Sequence, residues 1–228
     1  MFNNIGCITF DLDDTLWPVQ PVILRAEQAL YQWLREHYPR VTDKYDPQQL
    51  TQQRVALATR YPDITHNVTL LRWQYLSELA REFDYPTNMA EQGLNLFRHY
   101  RNQVTPFAEA ETVLTQLHKT YTIGAITNGN AELDKISIGR YFDFVTTAAD
   151  VGANKPCVSL FQQAASEAAL ETHQIVHIGD SAEADVIGAN KAGCYSIWFN
   201  PARHACPGGQ SPDAVVHSLA EVPALINR

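Results

Sequence analysis

The sequence predicts an α/β fold in which a doubly wound parallel sheet is interrupted by an inserted helical unit, and three observations support this prediction. The segment Ile5–Phe10 is a short apolar run that ends abruptly in carboxylates, as a buried strand does at the edge of a sheet. Residues 18–104 then follow a helical rhythm. After Pro106, strand-like and helix-like segments alternate, and this order is typical of a parallel sheet.

The predicted insert rests on three amphipathic stripes. Apolar side chains recur at helical spacing over residues 22–37, 68–83 and 90–100. The third stripe follows Thr87 and Asn88, which are residues of the kind that begin helices. We therefore expect three or four helices in the insert.

The alternation after Pro106 predicts the remaining elements. The predicted strands are Tyr121–Ile126, Phe144–Thr147, Ile175–Ile178, Tyr195–Phe199 and Ala214–His217. Helices are predicted at about residues 109–119, 158–169 and 182–192, with a last one at the C-terminus. The segment Pro201–Pro212 is rich in Pro, Gly and Ser and predicts a surface loop.

Composition limits the classes of partner. The 228 residues include 17 basic and 25 acidic side chains, a formal net charge of −8, without a cluster of Lys and Arg that could neutralise a row of phosphates. Nucleic acid is therefore not expected as a partner. No apolar run approaches the roughly 20 residues of a membrane span, and the N-terminus lacks the pattern of a signal peptide. We expect a cytoplasmic protein without a membrane partner, as a monomer or weak homodimer.

Cysteine usage supports the same compartment. Cys7, Cys157, Cys194 and Cys206 are scattered without metal-binding spacing and stand mostly in apolar surroundings. This pattern is typical of reduced cysteines in a cytosolic protein. The chain is also long enough to bury a core without disulfides or a structural metal, so neither is expected.

Polar residues follow the predicted strands at the points where chemistry is expected, because ligands of an open parallel sheet bind beyond the carboxyl ends of its strands. The first strand ends in Asp11 and Asp13, whose spacing in an extended chain directs both carboxylates to one side. Thr127-Asn128-Gly129 follows the second strand and offers a hydroxyl and backbone N–H groups that suit an anion. Lys155 follows the third strand.

The fourth strand adds two further acids, Asp180 and Asp185. Four carboxylates near a single Lys would repel one another, each pair by about 1 kcal/mol at 4 Å in water and by several times more at lower dielectric. A divalent cation relieves this repulsion. Oxygen ligands without His or Cys favour a hard ion, so Mg²⁺ is the expected cofactor.

These motifs, in this order, resemble those of haloacid dehalogenase-like (HAD) phosphatases. The resemblance rests on Asp11-Leu12-Asp13-Asp14-Thr15, Thr127-Asn128-Gly129, Lys155-Pro156 and the segment Gly179–Asp185. It extends over essentially the whole chain and implies a Rossmann-like catalytic core formed by residues 1–17 and 105–228. Residues 18–104 then correspond to the helical cap that closes over the active site in one branch of that family.

The resemblance implies a role for each matched residue. Asp11 is implied to attack phosphorus and form an aspartyl-phosphate, while Asp13 protonates the leaving oxygen and then activates water. The implied phosphate-binding set is Asp11, Leu12, Asp13, Thr127, Asn128 and Lys155. The implied magnesium ligands are Asp11, Asp180 and the Asp13 carbonyl, and Asp185 is implied to orient Lys155 or a metal-bound water.

A closer resemblance is to the branch that dephosphorylates riboflavin-pathway intermediates and FMN. It rests on the segments Pro21–Arg25, Arg72-Trp73 and Ile126–Asn130. It implies a small phosphorylated metabolite as substrate, with 5-amino-6-(5-phospho-D-ribitylamino)uracil and FMN as the first to consider. Arg72 and Trp73 are then candidates to hold the substrate, although an aromatic residue on an amphipathic helix more often belongs to a core.

Three alternatives stay open. A haloacid dehalogenase uses the same nucleophile on this fold but needs no acid for an alkoxide leaving group, so Asp13 argues against it. A sugar phosphomutase would transfer the phosphoryl group to a hydroxyl instead of water. A ligand-binding pseudophosphatase would keep the fold without turnover, which the intact set of acids disfavours. His177 lies inside an apolar strand and is interpreted as a core histidine.

Overall fold

The structure is a computed structural model that describes residues 2–206 and 211–226 of the chain. The chain divides into two compact units, which we call the core unit (Met1–Pro18 with Thr105–Arg228) and the cap unit (Val19–Val104). The division expected from the sequence, at residues 1–17 with 105–228 and 18–104, differs in the assignment of Pro18.

The regular structure of the cap unit is helical. Its helices are α1 (Val19–His37), α2 (Pro39–Lys44), α3 (Pro47–Arg60), α4 (Val68–Glu82) and α5 (Asn88–Arg101), with a 3₁₀ turn at Pro62–Ile64. The expectation of three or four helices is therefore too low. The helix α2 has six residues and α3 buries Leu50 and Leu57 alone, so neither shows a broad apolar stripe. A start signal for α3 was nevertheless present, because Asp46 and Gln49 form a capping box.

The three predicted stripes supply the core of the cap unit. Leu30 of α1, Leu76 of α4 and Phe97 of α5 belong to one buried cluster. The helix α5 packs against both α1 and α4. Packing of their apolar faces therefore holds these helices together. The helix α5 begins without a capping hydrogen bond from the side chain of Thr87, and Asn88 is its first residue.

The core unit is built on a parallel sheet. Its strands in the described part of the chain are β1 (Cys7–Phe10), β2 (Thr122–Thr127), β3 (Phe144–Thr147), β4 (Ile175–Gly179), β5 (Tyr195–Phe199) and β6 (Ala214–Val216). Their spatial order is β3-β2-β1-β4-β5-β6. In the centre, Cys7 pairs with Thr122 on one side and with Ile175 on the other. The winding direction reverses between β1 and β4, and ligands of such sheets bind at the carboxyl ends of the strands at this point.

Helices flank the sheet, as the alternation of elements predicts. They are α6 (Ala110–Leu117), α7 (Ala148–Val151), α8 (Val158–Glu167), α9 (Gly188–Ala192) and α10 (Val222–Ile226). The helix α8 packs against β2 and β3, and its Leu160 and Phe161 join a buried cluster with Cys7 and Ile126. Among the described residues, no helix combines the length and the apolar character needed to cross a membrane.

Several strand boundaries differ by one or two residues from the expected ones. Thr127 was expected in a loop, but it is the last residue of β2 because it pairs with Thr147 of β3. The predicted strand at Ala214–His217 ends at Val216. Within the predicted loop Pro201–Pro212, residues 207–210 lie outside the described residues.

The segment predicted as one helix at 182–192 is two elements. A π-helix covers Ala182–Ile187 and is followed by α9. The N–H groups of Asp185 and Val186 both donate to the Ser181 carbonyl, at 2.9 and 3.3 Å, which widens this first turn. Ser181 Oγ also accepts a hydrogen bond from the Ala184 N–H at 3.1 Å. Wide turns of this kind cluster at functional sites, and this one carries Asp185.

The cysteines are distributed differently from the expectation of mostly apolar surroundings. Cys7 and Cys194 are buried, whereas Cys157 and Cys206 are exposed. Burial raises the pKa of the Cys7 and Cys194 thiols to about 12. These two thiols therefore behave as small apolar groups in the core.

Close contact between β2 and β3 requires a glycine at position 124. A Cβ atom at Gly124 would overlap the ring of Phe144 on the neighbouring strand. We expect Gly124→Ala to lower the free energy of unfolding by about 1–3 kcal/mol, as overpacking of a core does. Urea unfolding of the variant and the wild type measures this difference. Because the cost arises from one contact, the double variant Gly124→Ala/Phe144→Ala should lose less than the sum of the two single variants. Additive losses would show that the ring is not the obstacle.

Candidate active site

The carboxyl ends of β1 and β4 bring Asp11 and Asp180 to the same edge of the sheet. Asp11 directly follows β1, and its N–H donates to the Ile178 carbonyl of β4 at 2.8 Å. Asp180 directly follows β4. The strand register therefore brings together two acids that are 169 positions apart in the chain, as predicted from the strand ends.

Lys155 lies between two of the acids. Its Nζ atom is 2.5 Å from Asp11 Oδ1 and 2.7 Å from Asp185 Oδ1, and it also donates to the Ile126 carbonyl at 2.7 Å. The side chain of Lys155 is only 2% exposed. Burial alone would lower the pKa of Lys155, but the carboxylates of Asp11 and Asp185 outweigh it, and the pKa is raised to about 12. Lys155 therefore stays charged, and its ammonium group donates hydrogen bonds to Asp11, Asp185 and the Ile126 carbonyl.

Asp11 is the acid whose ionisation is least favoured. Burial raises the pKa of Asp11 above its ordinary value, and the charges of Asp185 and Asp180 raise it further, while Lys155 opposes them. Three ionised acids here would carry three negative charges against the single positive charge of Lys155. A divalent cation at this place would balance the remaining charge and favour the ionised form of Asp11.

Asp185 is held by three donors. Its Oδ1 accepts from Lys155 Nζ and from His177 Nε2, the latter at 3.1 Å, and its Oδ2 accepts from the Ser181 N–H at 2.9 Å. Burial would raise the pKa of Asp185, but Lys155 and His177 hold it well below its usual range. The predicted task of orienting Lys155 fits this geometry. A Cβ atom at Gly179 would overlap the Asp185 carboxylate, so the close approach needs glycine there.

The contacts of His177 were not predicted from the sequence. Its ring is buried in β4, with Nδ1 at 2.9 Å from Thr9 Oγ1 and Nε2 on Asp185. Burial lowers the pKa of His177 against the opposing pull of Asp185. A polar pair at buried positions on adjacent strands, Thr9 and His177, was the signal available in the sequence.

Asp180 is fixed by Thr15. The Thr15 hydroxyl donates to Asp180 Oδ1 at 3.2 Å and accepts from the Asp180 N–H at 3.0 Å. Trp198 Nε1 donates to the Asp180 carbonyl at 2.8 Å. Burial raises the pKa of Asp180 to about 6, with further contributions from Asp185 and Asp14. In the sequence, Thr15 was only the last residue of the first motif, and its contacts with Asp180 follow from the fold.

The acids fit a hard cation. Asp11, Asp180 and Asp185 each offer a carboxylate oxygen, and these oxygens lie within 4.8 Å of one another. Asp185 is already engaged by three N–H donors, so Asp11 and Asp180 are the better ligands. An all-oxygen set suits Mg²⁺, whose coordination sphere usually includes waters and substrate oxygens. The Asp13 carbonyl as a third ligand stays a prediction.

Asp13 is half-buried beside the nucleophile candidate. Its Oδ1 accepts a hydrogen bond from Trp17 Nε1 at 2.8 Å. The backbone turns at Asp14, whose φ of 60° lies in the left-handed region, and the Asp14 N–H donates to the Trp17 carbonyl at 2.7 Å. This tight turn fixes the Asp13 carboxylate through Trp17, and it also brings Thr15 back toward Asp180.

Thr127 and Asn128 occupy the end of β2. The Thr127 hydroxyl is buried and accepts from the Gly129 N–H at 2.9 Å, and a hydroxyl bonded in this way still has its own proton to donate to an anion. Phosphate binding by Asn128 stays a prediction. The Asn128 side chain has another partner: its Oδ1 accepts from the Lys155 N–H at 2.7 Å and its Nδ2 donates to the Lys155 carbonyl at 3.2 Å. Asn128 therefore holds the backbone of Lys155.

Leu12 is fully buried between the two acids of the first motif. A leucine side chain offers no hydrogen bond, so any contact of Leu12 with phosphate would come from its backbone N–H. Its inclusion in the phosphate-binding set stays a prediction.

Arg72 is fixed inside the cap unit. Its guanidinium pairs with Glu27 at 2.8 Å and lies 3.3 Å above the centre of the Phe97 ring. The side chain is 7% exposed, whereas that of Trp73 is 42% exposed. These contacts are those of a residue that holds helices together. A role of Arg72 in substrate binding stays a prediction.

The fold and site together define a class of enzyme: a parallel α/β core with a buried carboxylate–lysine cluster and an acidic cation site at its strand ends. The model of the haloacid dehalogenase-like hydrolase family matches residues 5–193. The chain belongs to this family. The predicted family, α/β fold class and enzyme class are thereby confirmed.

Relatives of known activity include phosphatases. The chain is 31% identical over 202 residues to the 5-amino-6-(5-phospho-D-ribitylamino)uracil phosphatase YigB of Escherichia coli (strain K12), covering 87% of this chain and 84% of that protein. It is 31% identical over 128 residues to the pyrimidine 5'-nucleotidase YjjG of the same strain, covering 54% and 57% of the two chains. The predicted resemblance to a riboflavin-pathway phosphatase is confirmed by the first of these.

A solved structure adds a different activity to the comparison. The crystal structure of 2-haloacid dehalogenase from Pseudomonas syringae pv. Tomato DC3000 matches with a TM-score of 0.92 and 36% identity, covering 98% of this chain and 99% of that chain. The fold and family are therefore shared by phosphatases and a protein named as a dehalogenase. The reaction of this chain has to be argued from the site.

Gly179 gives a test of the site geometry. We expect Gly179→Ala to displace the Asp185 carboxylate and to lower kcat by about 10–100-fold, as the loss of supporting contacts does elsewhere. Gly6→Ala is the matched control, because its Cβ would meet only the flexible end of Leu170. Steady-state kinetics and urea unfolding of both variants separate a local effect from general instability. Equal kcat values in the two variants would contradict the assigned role of Gly179.

Proposed function

We propose that this hydrolase is a Mg²⁺-dependent phosphomonoesterase that works through an aspartyl-phosphate on Asp11. The observation that carries the proposal is the buried cluster of Asp11, Lys155 and Asp185, with Asp180 beside it. Transfer of a phosphoryl dianion requires a nucleophile, fixed positive charge and ligands for a divalent cation. The cluster provides a carboxylate, an ammonium group and oxygen ligands for these three tasks.

The reaction has two balanced steps. In the first, a carboxylate oxygen of Asp11 attacks phosphorus, the bond to the leaving oxygen breaks, and Asp13 gives that oxygen a proton. In the second, Asp13 takes a proton from water, which attacks phosphorus and releases inorganic phosphate and the free Asp11 carboxylate. The hydrogen bond from Trp17 holds Asp13 in one orientation for both proton transfers.

The negative charge of the phosphoryl oxygens is stabilised from two sources in this proposal. The chain itself supplies Lys155 and the hydroxyl of Thr127. When bound by Asp11, Asp180 and the Asp13 carbonyl, Mg²⁺ would offset the repulsion between the nucleophile and a dianionic substrate. Thr15 orients Asp180 for this task.

The proposed substrate is a small phosphorylated metabolite. The similarity to YigB makes 5-amino-6-(5-phospho-D-ribitylamino)uracil and FMN the first substrates to test. The similarity to YjjG adds pyrimidine nucleotides. A screen of phosphorylated metabolites, read as released phosphate, ranks them by kcat/KM.

Dehalogenation of a small haloacid is the second candidate, because the Pseudomonas structure bears that name at 36% identity. A halide leaves without a proton and a monoanionic haloacid needs less charge compensation than a phosphate dianion. An oriented Asp13 and the acidic cluster at Asp180 therefore favour phosphate. Release of halide from a 2-haloacid, without release of phosphate from any ester, would reverse this choice.

Two further alternatives are distinguished by the same assays. A mutase would move the phosphoryl group to a sugar hydroxyl and release little phosphate from a simple chromogenic ester. A binding protein without turnover would release none with any substrate.

The nucleophile is tested by Asp11→Asn. We expect kcat to fall by roughly 10³-fold or more, since an amide cannot replace the attacking carboxylate. Acid-quenched enzyme should hold covalent phosphate in the wild type and none in the variant. Asp14→Asn is the control, because Asp14 is an exposed neighbour without a catalytic task, and it should keep most of the activity. Near-normal turnover of Asp11→Asn would contradict the mechanism.

Removal of the metal is the second test. We expect EDTA to abolish phosphate release and Mg²⁺ to restore it. Restoration by Ca²⁺ should be poor, because its longer and more variable bonds misplace the attacking oxygen. Calorimetric titration of Mg²⁺ should show binding to the wild type and much weaker binding to Asp180→Asn. Undiminished turnover in EDTA would exclude the proposed role of Asp11 and Asp180 as magnesium ligands.

A further inference from the structure

A row of buried hydrogen bonds runs from the middle of the sheet to the nucleophile. Thr9 Oγ1 lies 2.9 Å from His177 Nδ1, and His177 Nε2 lies 3.1 Å from Asp185 Oδ1. Lys155 Nζ donates to the same oxygen of Asp185 at 2.7 Å and to Asp11 Oδ1 at 2.5 Å. All five residues are buried and belong to the core unit. Direct hydrogen bonds therefore connect Thr9 of β1 and His177 of β4 to the carboxylate of Asp11.

The chemistry of the partners fixes the direction of each hydrogen bond. An ionised Asp185 can only accept, so His177 Nε2 carries a hydrogen. A neutral imidazole then presents Nδ1 as an acceptor, and the Thr9 hydroxyl donates to it. The geometry thus selects the Nε2–H tautomer of His177.

The ring of His177 is held on several sides. Thr9 and His177 are direct partners in the register of β1 and β4. The ring of Phe161 meets that of His177 edge to face, with centroids 5.1 Å apart and planes at 87°. Asp185, by contrast, comes from the short π-helix after β4. His177 therefore links the central pair of strands, β1 and β4, to a residue on a short element outside the sheet.

We propose that His177 is a positioning residue of the reaction: its Nε2–H fixes the Asp185 carboxylate, and Asp185 in turn holds the Lys155 ammonium beside Asp11. The inference rests on the proposed function, because it gives Lys155 the task of holding a phosphoryl oxygen at the nucleophile. It adds a task to the interpretation of His177 as a core histidine, which agrees with its burial. An apolar residue could fill the same volume but could not donate to Asp185.

Two variants separate positioning from packing. The amide nitrogen of Gln reaches about as far as Nε2 of His, whereas that of Asn reaches about as far as Nδ1. We expect His177→Asn to lower kcat by about 10–100-fold with KM changed by less than about twofold, and His177→Gln to stay within about threefold of the wild type. Rates are normalised to the folded fraction from urea unfolding. Equal normalised kcat values for the wild type and both variants would show that His177 only packs.

A double-mutant cycle tests whether the effect passes through Asp185. In an Asp185→Asn background, His177→Asn should lower kcat further by less than about twofold, because the group that it positions is already lost. Independent, multiplying effects of the two changes would overturn the inference.

A measurement on the wild type keeps the test independent of catalysis and of the folding of variants. NMR of protein labelled with ¹⁵N-histidine should show His177 as the neutral Nε2–H tautomer, assigned by its contacts to the Phe161 ring. The Nδ1–H tautomer, which leaves Nε2 without a hydrogen for Asp185, would overturn the inference even if phosphate is released. The expected tautomer in a protein that releases no phosphate from any ester would instead contradict the proposed function, and with it the reaction assigned to His177.

Discussion

The ammonium group of Lys155 lies between the carboxylates of Asp11 and Asp185 in a place that water hardly reaches, and the surrounding structure follows from the cost of burying these charges. An ion moved into the interior loses several kcal/mol of solvation, which only close partners of opposite charge and further hydrogen bonds offset. Asn128 fixes the Lys155 backbone, Gly179 leaves room for Asp185, and the π-helix turns Asp185 inward. Each of these features helps to hold the buried ion pairs of Lys155 with Asp11 and Asp185.

The same charges leave the site with more negative than positive charge. One ammonium group cannot neutralise three carboxylates, so the pKa of Asp11 is raised, first by burial and then by its acidic neighbours, and Asp180 shares this effect. In the proposed reaction, a divalent cation would favour the ionised nucleophile and screen its repulsion from the incoming phosphoryl group. Stability of the folded site and the proposed phosphoryl transfer would therefore have one electrostatic origin.

The comparison with a dehalogenase structure shows why fold alone does not decide the reaction. The two chains share their architecture almost completely, and the family includes phosphatases as well. In the proposed function, the choice between leaving groups depends on a few side chains near Asp11, above all on Asp13, which Trp17 orients.

In the cap unit, the pairing of Arg72 with Glu27 and its stacking on Phe97 hold helices together by the same rule, that a buried cation needs partners.

The sequence by itself determined the order of strands and helices and the acids at the strand ends, because apolar runs and abrupt polar ends are local signals. It also identified Asp11, Asp180 and Lys155. It underestimated the helices of the cap unit, since α2 is short and α3 buries few side chains. Only the tertiary structure revealed the tasks of Thr15, Asn128 and His177. Their partners are distant in sequence, and strand register and packing, which no local pattern records, bring them together.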